Sequence, residues 1–427
     1  MKKELFLQKL NTGGFDPILR TLYGADETIL TRQRARYADV IRRFDEHFPG
    51  HEDIRVFSAP GRSEIGGNHT DHQRGCALGA AVSLDAVAVV AFHDEGVIRF
   101  GSVGHATHEV ELDDLTMRAY ERDSSISLIR GIAARFAQMG ADIRGFDAYN
   151  VTDVKSGSGL SSSAAFETLV GTIINHGYFS GQADAMEIAK IGQYAENVYY
   201  DKASGLLDQS ISAVGGFVFL DFLDSANPRI DRCAFDFEKA GYHLCITDTK
   251  GSHADLTDEY AAVPAEMKTI AHQLGKDVLR EVDEEEFYRA IPMLRKGCGD
   301  RAVLRAIHFF GENRRAAQEA EALKAGDIDT FFRLYRASAD SSARLLQNLY
   351  SCKKPQEQGI PLGLAVSRLI LGSDAAVRVH GGGFAGTVQA FVPIDRTEEY
   401  TARMNAVFGE NSCCVVRIRP VGGVEIK

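Results

Sequence analysis

Asn150-Val-Thr-Asp-Val-Lys-Ser-Gly-Ser-Gly-Leu-Ser-Ser-Ser-Ala-Ala165 reads as a strand that runs through a glycine loop into a helix. Upstream, Phe146 to Val151 alternates with the two-residue period of a strand, and Ser161 to Ile174 carries a helical pattern. Gly157 and Gly159 let the backbone turn tightly and approach a ligand with no Cβ in the way. Ser161, Ser162 and Ser163 then open a helix whose first N–H groups lack intrahelical partners and whose dipole favours an anion. No Gly-Lys-Ser/Thr follows, and the glycine spacing is not that of a dinucleotide fingerprint. By itself the stretch fits either a phosphate cradle or serines capping a helix after a flexible turn.

Two further glycine-rich segments flank it: Ala59-Pro-Gly-Arg-Ser-Glu-Ile-Gly-Gly-Asn-His-Thr-Asp-His72 and His380-Gly-Gly-Gly-Phe-Ala-Gly386. The last lies between two strand-like runs and by itself also fits a hairpin. Two acids follow the middle loop, Glu196 in Ala195-Glu-Asn197 and Asp208 in Gly205-Leu-Leu-Asp-Gln-Ser210. Phosphoryl transfer to a hydroxyl needs a cation on the phosphates and a group to receive or orient the hydroxyl proton. Taken singly, Glu196 also fits a solvated helix face and Asp208 a helix cap. A metal site at His69, Asp71 and His72 is disfavoured, because ligands this close in sequence cannot converge on one ion without a sharp turn.

Together, and in this order, the segments resemble the galactokinase branch of the GHMP small-molecule kinases. Gly-Leu-Ser-Ser-Ser-Ala-Ala matches the family's ATP motif, which implies nucleotide binding by Gly157, Ser158, Gly159, Leu160, Ser161, Ser162 and Ser163. Gly-Leu-Leu-Asp-Gln is similar to the family's Gly-x-Met-Asp-Gln. The resemblance makes Asp208 the carboxylate facing the anomeric hydroxyl, with Arg62 beside it at the reacting centre, and makes Glu196 with Ser162 the Mg²⁺ side. Pro60 to His72 aligns without a gap on Pro-Gly-Arg-Val-Asn-Leu-Ile-Gly-Glu-His-Thr-Asp-Tyr, which assigns His69 and Asp71 to sugar hydroxyls. Gly205 and Tyr260 complete the implied sugar site.

Departures from the motif bear on the substrate. Glu64 stands where the family has Asn, and Asn68 where it has the Glu that contacts the far end of the sugar. A neutral amide weakens a charge-assisted hydrogen bond and removes a charge that would repel a C6 carboxylate. His380 replaces a Thr of the third motif. The resemblance thus implies an ATP- and Mg²⁺-dependent sugar 1-kinase, with D-galactose the leading substrate and galacturonate the alternative. From another class, a non-catalytic sugar sensor remains a rival, disfavoured by the intact Ser162 to Ala165 run and Asp208. The implied fold is α+β in two domains, a ribosomal-S5-like N-terminal and a ferredoxin-like C-terminal domain, with the site in the cleft between them.

The rest of the chain agrees with this. Its 427 residues exceed what one core usually serves. A helical extension is expected over 1–43, a sugar- and ATP-binding domain over 44–228, and a second domain over 229–427. Turn-rich Asp224-Ser-Ala-Asn-Pro-Arg229 marks the joint. A net charge of −11 argues against nucleic acid. The seven cysteines are odd in number and form no Cys-x-x-Cys pair, which suits reduced thiols. The start of the chain lacks a signal peptide's apolar stretch, and the apolar run Ala77–Phe92 is broken by Ser83 and Asp85. A cytoplasmic protein with no membrane partner, monomeric or weakly self-associating, is expected.

Overall fold

The computed structural model describes every residue except 156–158, 203, 253 and 254. Gly157 and Ser158 of the nucleotide loop therefore lie outside the described residues. The chain opens with three helices, α1 (Lys3–Asn11), α2 (Asp16–Tyr23) and α3 (Glu27–His47). Asp26 caps α3 by accepting from the backbone N–H groups of Thr28 and Ile29. The stripe read from the sequence, Tyr37, Val40, Ile41 and Phe44, is buried. It packs with Phe6, Leu19 and Leu22 against Val56, Val87, Val89 and Tyr149 of the first sheet.

That sheet is built from β1 (Arg55–Gly66), β2 (Cys76–Phe92), β3 (Val97–Ser102), β4 (His108–Glu111) and, after α4 (Ser125–Gln138), β5 (Phe146–Thr152). Helices α5 (Ser162–Tyr178), α6 (Ala185–Tyr194) and α7 (Leu207–Val214) cover the face opposite the N-terminal helices, over a core that includes Ile129, Ile132, Leu169, Ile173 and Ile211. Strands β6 (Phe217–Asp221) and β7 (Arg229–Cys233) follow. Among the described residues the order is β12-β1-β2-β5-β3-β4, with β6 joining β2 to β7 and β12 being Val424–Ile426 at the C-terminus. The larger sheet thus takes strands from both sides of the turn-rich stretch near Asp224.

Asp85, which interrupts the apolar run of β2, is wholly buried and surrounded by donors. Arg36 Nη1 reaches it at 2.6 Å, Arg419 Nη1 at 2.9 Å and Tyr23 Oη at 2.5 Å, and Ser58 also donates to it. One buried charge therefore ties α2, α3, β1, β2 and the C-terminal segment together.

The second sheet has the antiparallel order β11-β8-β10-β9, from β8 (Tyr242–Asp248), β9 (Ala376–His380), β10 (Thr387–Pro393) and β11 (Cys413–Val416). Between β8 and β9 run α8 (Thr257–Gln273), α9 (Glu284–Cys298), α10 (Asp300–Ala325), α11 (Ile328–Ser341) and α12 (Gly359–Leu371), and α13 (Thr397–Phe408) precedes β11. One face of this sheet packs on α12 and α13 through Val377, Val379, Ile360 and Tyr400. The other faces the first sheet, where Ile65, Leu78 and Phe219 share a core with Leu244, Ile246, Phe391 and Tyr335. This α+β architecture in two sheets matches the class expected from the sequence. The three glycine segments meet where the two sheets face each other.

Candidate active site

Arg62 lies on β1 where the strand meets the middle loop. Its Nε and Nη2 grip the carboxylate of Asp208 at 2.7 and 2.8 Å, and Nη1 donates to the Gly159 carbonyl of the nucleotide loop. The fork-to-carboxylate geometry is the strong, orienting form of this pair. Ser161 adds a third donor to Asp208 at 2.7 Å. Burial works against the charge on Asp208, but Arg62 and the Ser161 hydrogen bond outweigh it and hold the carboxyl below its usual range. Asp208 keeps a third of its side chain exposed, so one side remains open to a substrate.

The nucleotide loop has the geometry its glycines predict at the described positions. Gly159 adopts φ +73°, and a Cβ there would press on His380 and Thr387 at 2.9 and 3.0 Å. Ser161 is itself left-handed at φ 54°. Its hydroxyl serves Asp208 instead of capping α5, so among the described residues the first N–H groups of that helix have no side-chain cap. An anion can take that place. Ser162 and Ser163 stand half-buried in the first turn.

Glu196 is the second residue of a single π turn, Ala195–Tyr200, directly after α6. Such insertions recur at functional sites. Its Oε2 accepts from Gln209 Nε2 at 2.8 Å and its Oε1 from Lys202 Nζ at 2.5 Å. The same Gln209 amide donates to Glu167 Oε2 at 2.9 Å, which brings two buried carboxylates to one side chain. Burial, and then the charge of Glu196, pushes the Glu167 carboxyl well above its ordinary value. Glu167 Oε1 is buried without a hydrogen-bond partner among the described residues. Among the described residues no group of three or more His, Cys, Asp or Glu side chains is arranged to hold a metal ion, so Mg²⁺ here would take few protein oxygens and rely on phosphates and water, as Mg²⁺ commonly does in kinase sites.

The first loop is gripped from the second domain. His308 and Glu312 on α10 bind the backbone at Asn68 and Gly67, with His308 Nε2 donating to the Asn68 carbonyl at 2.9 Å and Gly67 N donating to Glu312 at 3.1 Å. His69, left-handed at φ 59°, donates from Nε2 to the Gly382 carbonyl at 2.9 Å. Burial lowers its pKa to about 4, so the ring is neutral. Its Nε2 is thus engaged by the third loop, and a sugar hydroxyl has only Nδ1 to use. Asp71 faces Gly205, where a Cβ would come within 3.3 Å of its carboxylate. Tyr260 on α8 donates to the Gly383 carbonyl at 2.7 Å and stands edge-on to Phe384.

The third loop is held by Asn348, whose carbonyl accepts from Phe384 N at 2.5 Å and whose amide donates to Gly382 O at 3.1 Å. His380 bridges Ser63 at 3.0 Å and Thr387 at 2.8 Å, and burial pushes its pKa down to about 3. Ser63 also accepts from Gln389 Nε2, so a chain of contacts runs from Gln389 through Ser63 and His380 to Thr387. Arg62, Glu64, Asp71, Gly205, Asp208 and Ser161 therefore converge. Glu196 and Glu167 stand behind Asp208 through Gln209. His308, Glu312, Asn348 and Arg378 are supporting residues that no motif announces. They fall outside the three glycine segments, and only their contacts identify them. A recess of about 770 Å³ bordered by Arg20, Phe217, Tyr242 and Arg417 lies elsewhere and contains none of the site residues.

Known proteins share both the motifs and the frame. The galactokinase galactose-binding signature matches residues 42–92, and the GHMP kinases N-terminal domain matches residues 127–216. The chain is 29% identical to the galactokinase of Streptomyces coelicolor over 371 residues, 86% of this chain and 91% of that protein. It is 28% identical to the galactokinase of Glaesserella parasuis over 358 residues, 83% and 89% of the two chains. In fold it is similar to the galactokinase of Lactococcus lactis solved with galactose, with TM-score 0.76 at 22% identity, covering 91% of this chain and 99% of that one. The mevalonate kinase of Methanococcus jannaschii shares the fold at TM-score 0.60 and 14% identity, covering 87% and 99%.

Proposed function

The chain belongs to the GHMP kinases and carries the sugar-binding signature of their galactokinase branch, and from that premise we propose that it transfers the γ-phosphoryl group of ATP to the C1 hydroxyl of D-galactose. The observation that carries this reading is the Arg62–Asp208 pair, seated against the nucleotide loop through Gly159 and Ser161. The sugar hydroxyl donates to Asp208. Because that carboxylate is held ionised and weakly basic, it orients the hydroxyl and receives its proton as the bond to phosphorus forms. Arg62 steadies the charge on Asp208 and on the transferring group. The uncapped first turn of α5 receives phosphate oxygens. Glu64, Asn68, His69, Asp71, Gly205 and Tyr260 are the candidate sugar-side residues.

Ser162 and Glu196, a hydroxyl and a carboxylate, would hold Mg²⁺, which when bound neutralises phosphate charge. Gln209 and Lys202 fix the Glu196 carboxylate in the meantime. Glu196→Gln is expected to raise the Mg²⁺ concentration for half-maximal rate at least about tenfold, the lower end of what losing even a supporting group costs a metal site. Titration of initial rate against Mg²⁺ at fixed ATP checks this, and an unchanged half-saturation would remove Glu196 from the metal side. All seven cysteines are free thiols, which fits a reducing compartment such as the cytoplasm. Among the described residues no helix is long and apolar enough to cross a membrane.

ADP release by the purified protein with Mg-ATP and D-galactose, D-galacturonate, N-acetylgalactosamine, L-arabinose or glucose tests the proposal. Turnover on galactose is the expected result. Silence on every sugar would favour a non-catalytic sensor.

A further inference from the structure

Asn68 is turned into the protein. Its side-chain amide donates to Glu64 Oε1 at 2.8 Å and to the Gly381 carbonyl at 2.9 Å, and its oxygen accepts from Asn348 at 2.9 Å and Ser342 at 3.3 Å. It is wholly buried. All the hydrogen-bonding capacity of the amide is taken, and none faces a substrate. Glu64 is placed differently. Near the end of β1, Arg62 and Glu64 keep partial exposure while Ser63 and Ile65 between and beyond them are buried, so the two charged side chains share the cleft-facing side of the strand. Successive same-face positions are roughly 6.6 Å apart, about the length of a pyranose. Glu64 Oε1 carries the protein contacts, to Asn68 and, at 3.5 Å, to Arg378. Oε2 has no hydrogen-bond partner among the described residues, yet it is not among the sealed-off polar atoms. Arg62 and Asp71 are among the charges that bear on it.

We infer that Glu64 is a substrate-contacting residue whose free carboxylate oxygen, locked in place by Asn68, forms with Asp71 an acidic wall that accepts hydroxyl hydrogen bonds from an uncharged sugar and refuses a hexuronate. This rests on the sugar-kinase reading and names its substrate class. The neutral Asn68 does not open the site to an acidic sugar, because a carboxyl group stands one side chain away and Asp71 adds a second. Burial lifts the Glu64 carboxyl to about 7 against the pull of Arg378, Asn68 and Arg62, the behaviour of a group short of hydrogen bonds that a sugar hydroxyl can supply.

The test is calorimetric binding of D-galactose and D-galacturonate to the full chain with a non-hydrolysable ATP analogue, alongside turnover of both sugars. Wild type is expected to bind galactose at least about a hundredfold tighter than galacturonate. Glu64→Ala should weaken galactose roughly ten- to a hundredfold, the range for one hydrogen bond to a charged group. Glu64→Gln keeps the shape and an acceptor for Asn68, and should narrow the galactose-to-galacturonate ratio at least about tenfold. Unchanged nucleotide affinity in each variant shows that the fold is intact. Equal binding of the two sugars by wild type, which needs no variant, overturns the inference, as does galactose affinity indifferent to Glu64→Ala. In both cases galactose turnover leaves the kinase reading standing. A wild type that neither binds nor phosphorylates any hexose removes both.

Discussion

Asp208→Asn should lower the galactose-dependent kcat by about a thousandfold or more while leaving ATP binding within a few-fold of wild type. The substitution keeps the volume but removes the charge. Asp208 receives two donors from Arg62 and one from Ser161, and an amide cannot accept from all of them while presenting an acceptor to a hydroxyl. Loss of a positioned proton acceptor alone costs about 10²–10⁴ in rate. The Arg62 guanidinium is also left short of its counter-charge beside the nucleotide loop. Single-turnover phosphorylation and calorimetry with an ATP analogue separate the two effects. A variant within tenfold of wild type in kcat would remove Asp208 from the reacting centre.

Asp85→Ala is expected to destabilise the folded chain by about 3–5 kcal/mol, the cost of breaking a buried ion pair from one side. That is a large share of the ~5–15 kcal/mol typical of a domain. Asp85 and Arg419 are both fully buried, and Arg36 is nearly so. Removing the carboxylate leaves the fully buried Arg419 guanidinium with only Ser58 and backbone oxygens to accept from it, while Arg36 keeps Gln33 at 3.2 Å and Asp153 at 3.4 Å. Urea unfolding with an unchanged m-value would report the loss, and a change under about 1 kcal/mol would show that solvent reaches the cluster. The same pairing predicts acid sensitivity. Burial by itself raises the Asp85 pKa, but Arg36 and Arg419, with hydrogen bonds from Ser58 and Tyr23, bring it below the usual value. Its contribution is thus complete above the unfolded carboxylate value of about 3.9 and is lost as pH falls through the lower folded one.

The paired departures show how far a motif can be read along the chain. Ser63 stands where the resembling motif has Val and His380 where it has Thr, and these two side chains hydrogen-bond to each other. Glu64 and Asn68 exchange the places of an acid and an amide, and they too touch. Position by position, each looked like an isolated deviation. In space they are two compensated pairs, because side chains that share a buried contact must match in charge and donor count.

The α+β class, the helical stripe of α3 and the position of the middle glycine loop were legible in the sequence, while Arg62 and Asp208 were singled out only by the resemblance of their motifs. The first three rest on local chemistry: the period of apolar residues, glycine where φ is positive, serines at a helix start. What Asn68 and Glu64 do was not legible. Their roles depend on Ser342, Asn348, Arg378 and Gly381, all more than 270 residues away. Nor did any local pattern mark His308 and Glu312, which hold the sugar loop from α10. Orientation of a side chain at the meeting of two sheets is set by which long-range donors satisfy it, since an unpaired polar group there is costly to bury. Tertiary packing alone decided that Asn68 is turned inward and fully hydrogen-bonded and that Glu64, held by it, stays on the cleft side of the strand.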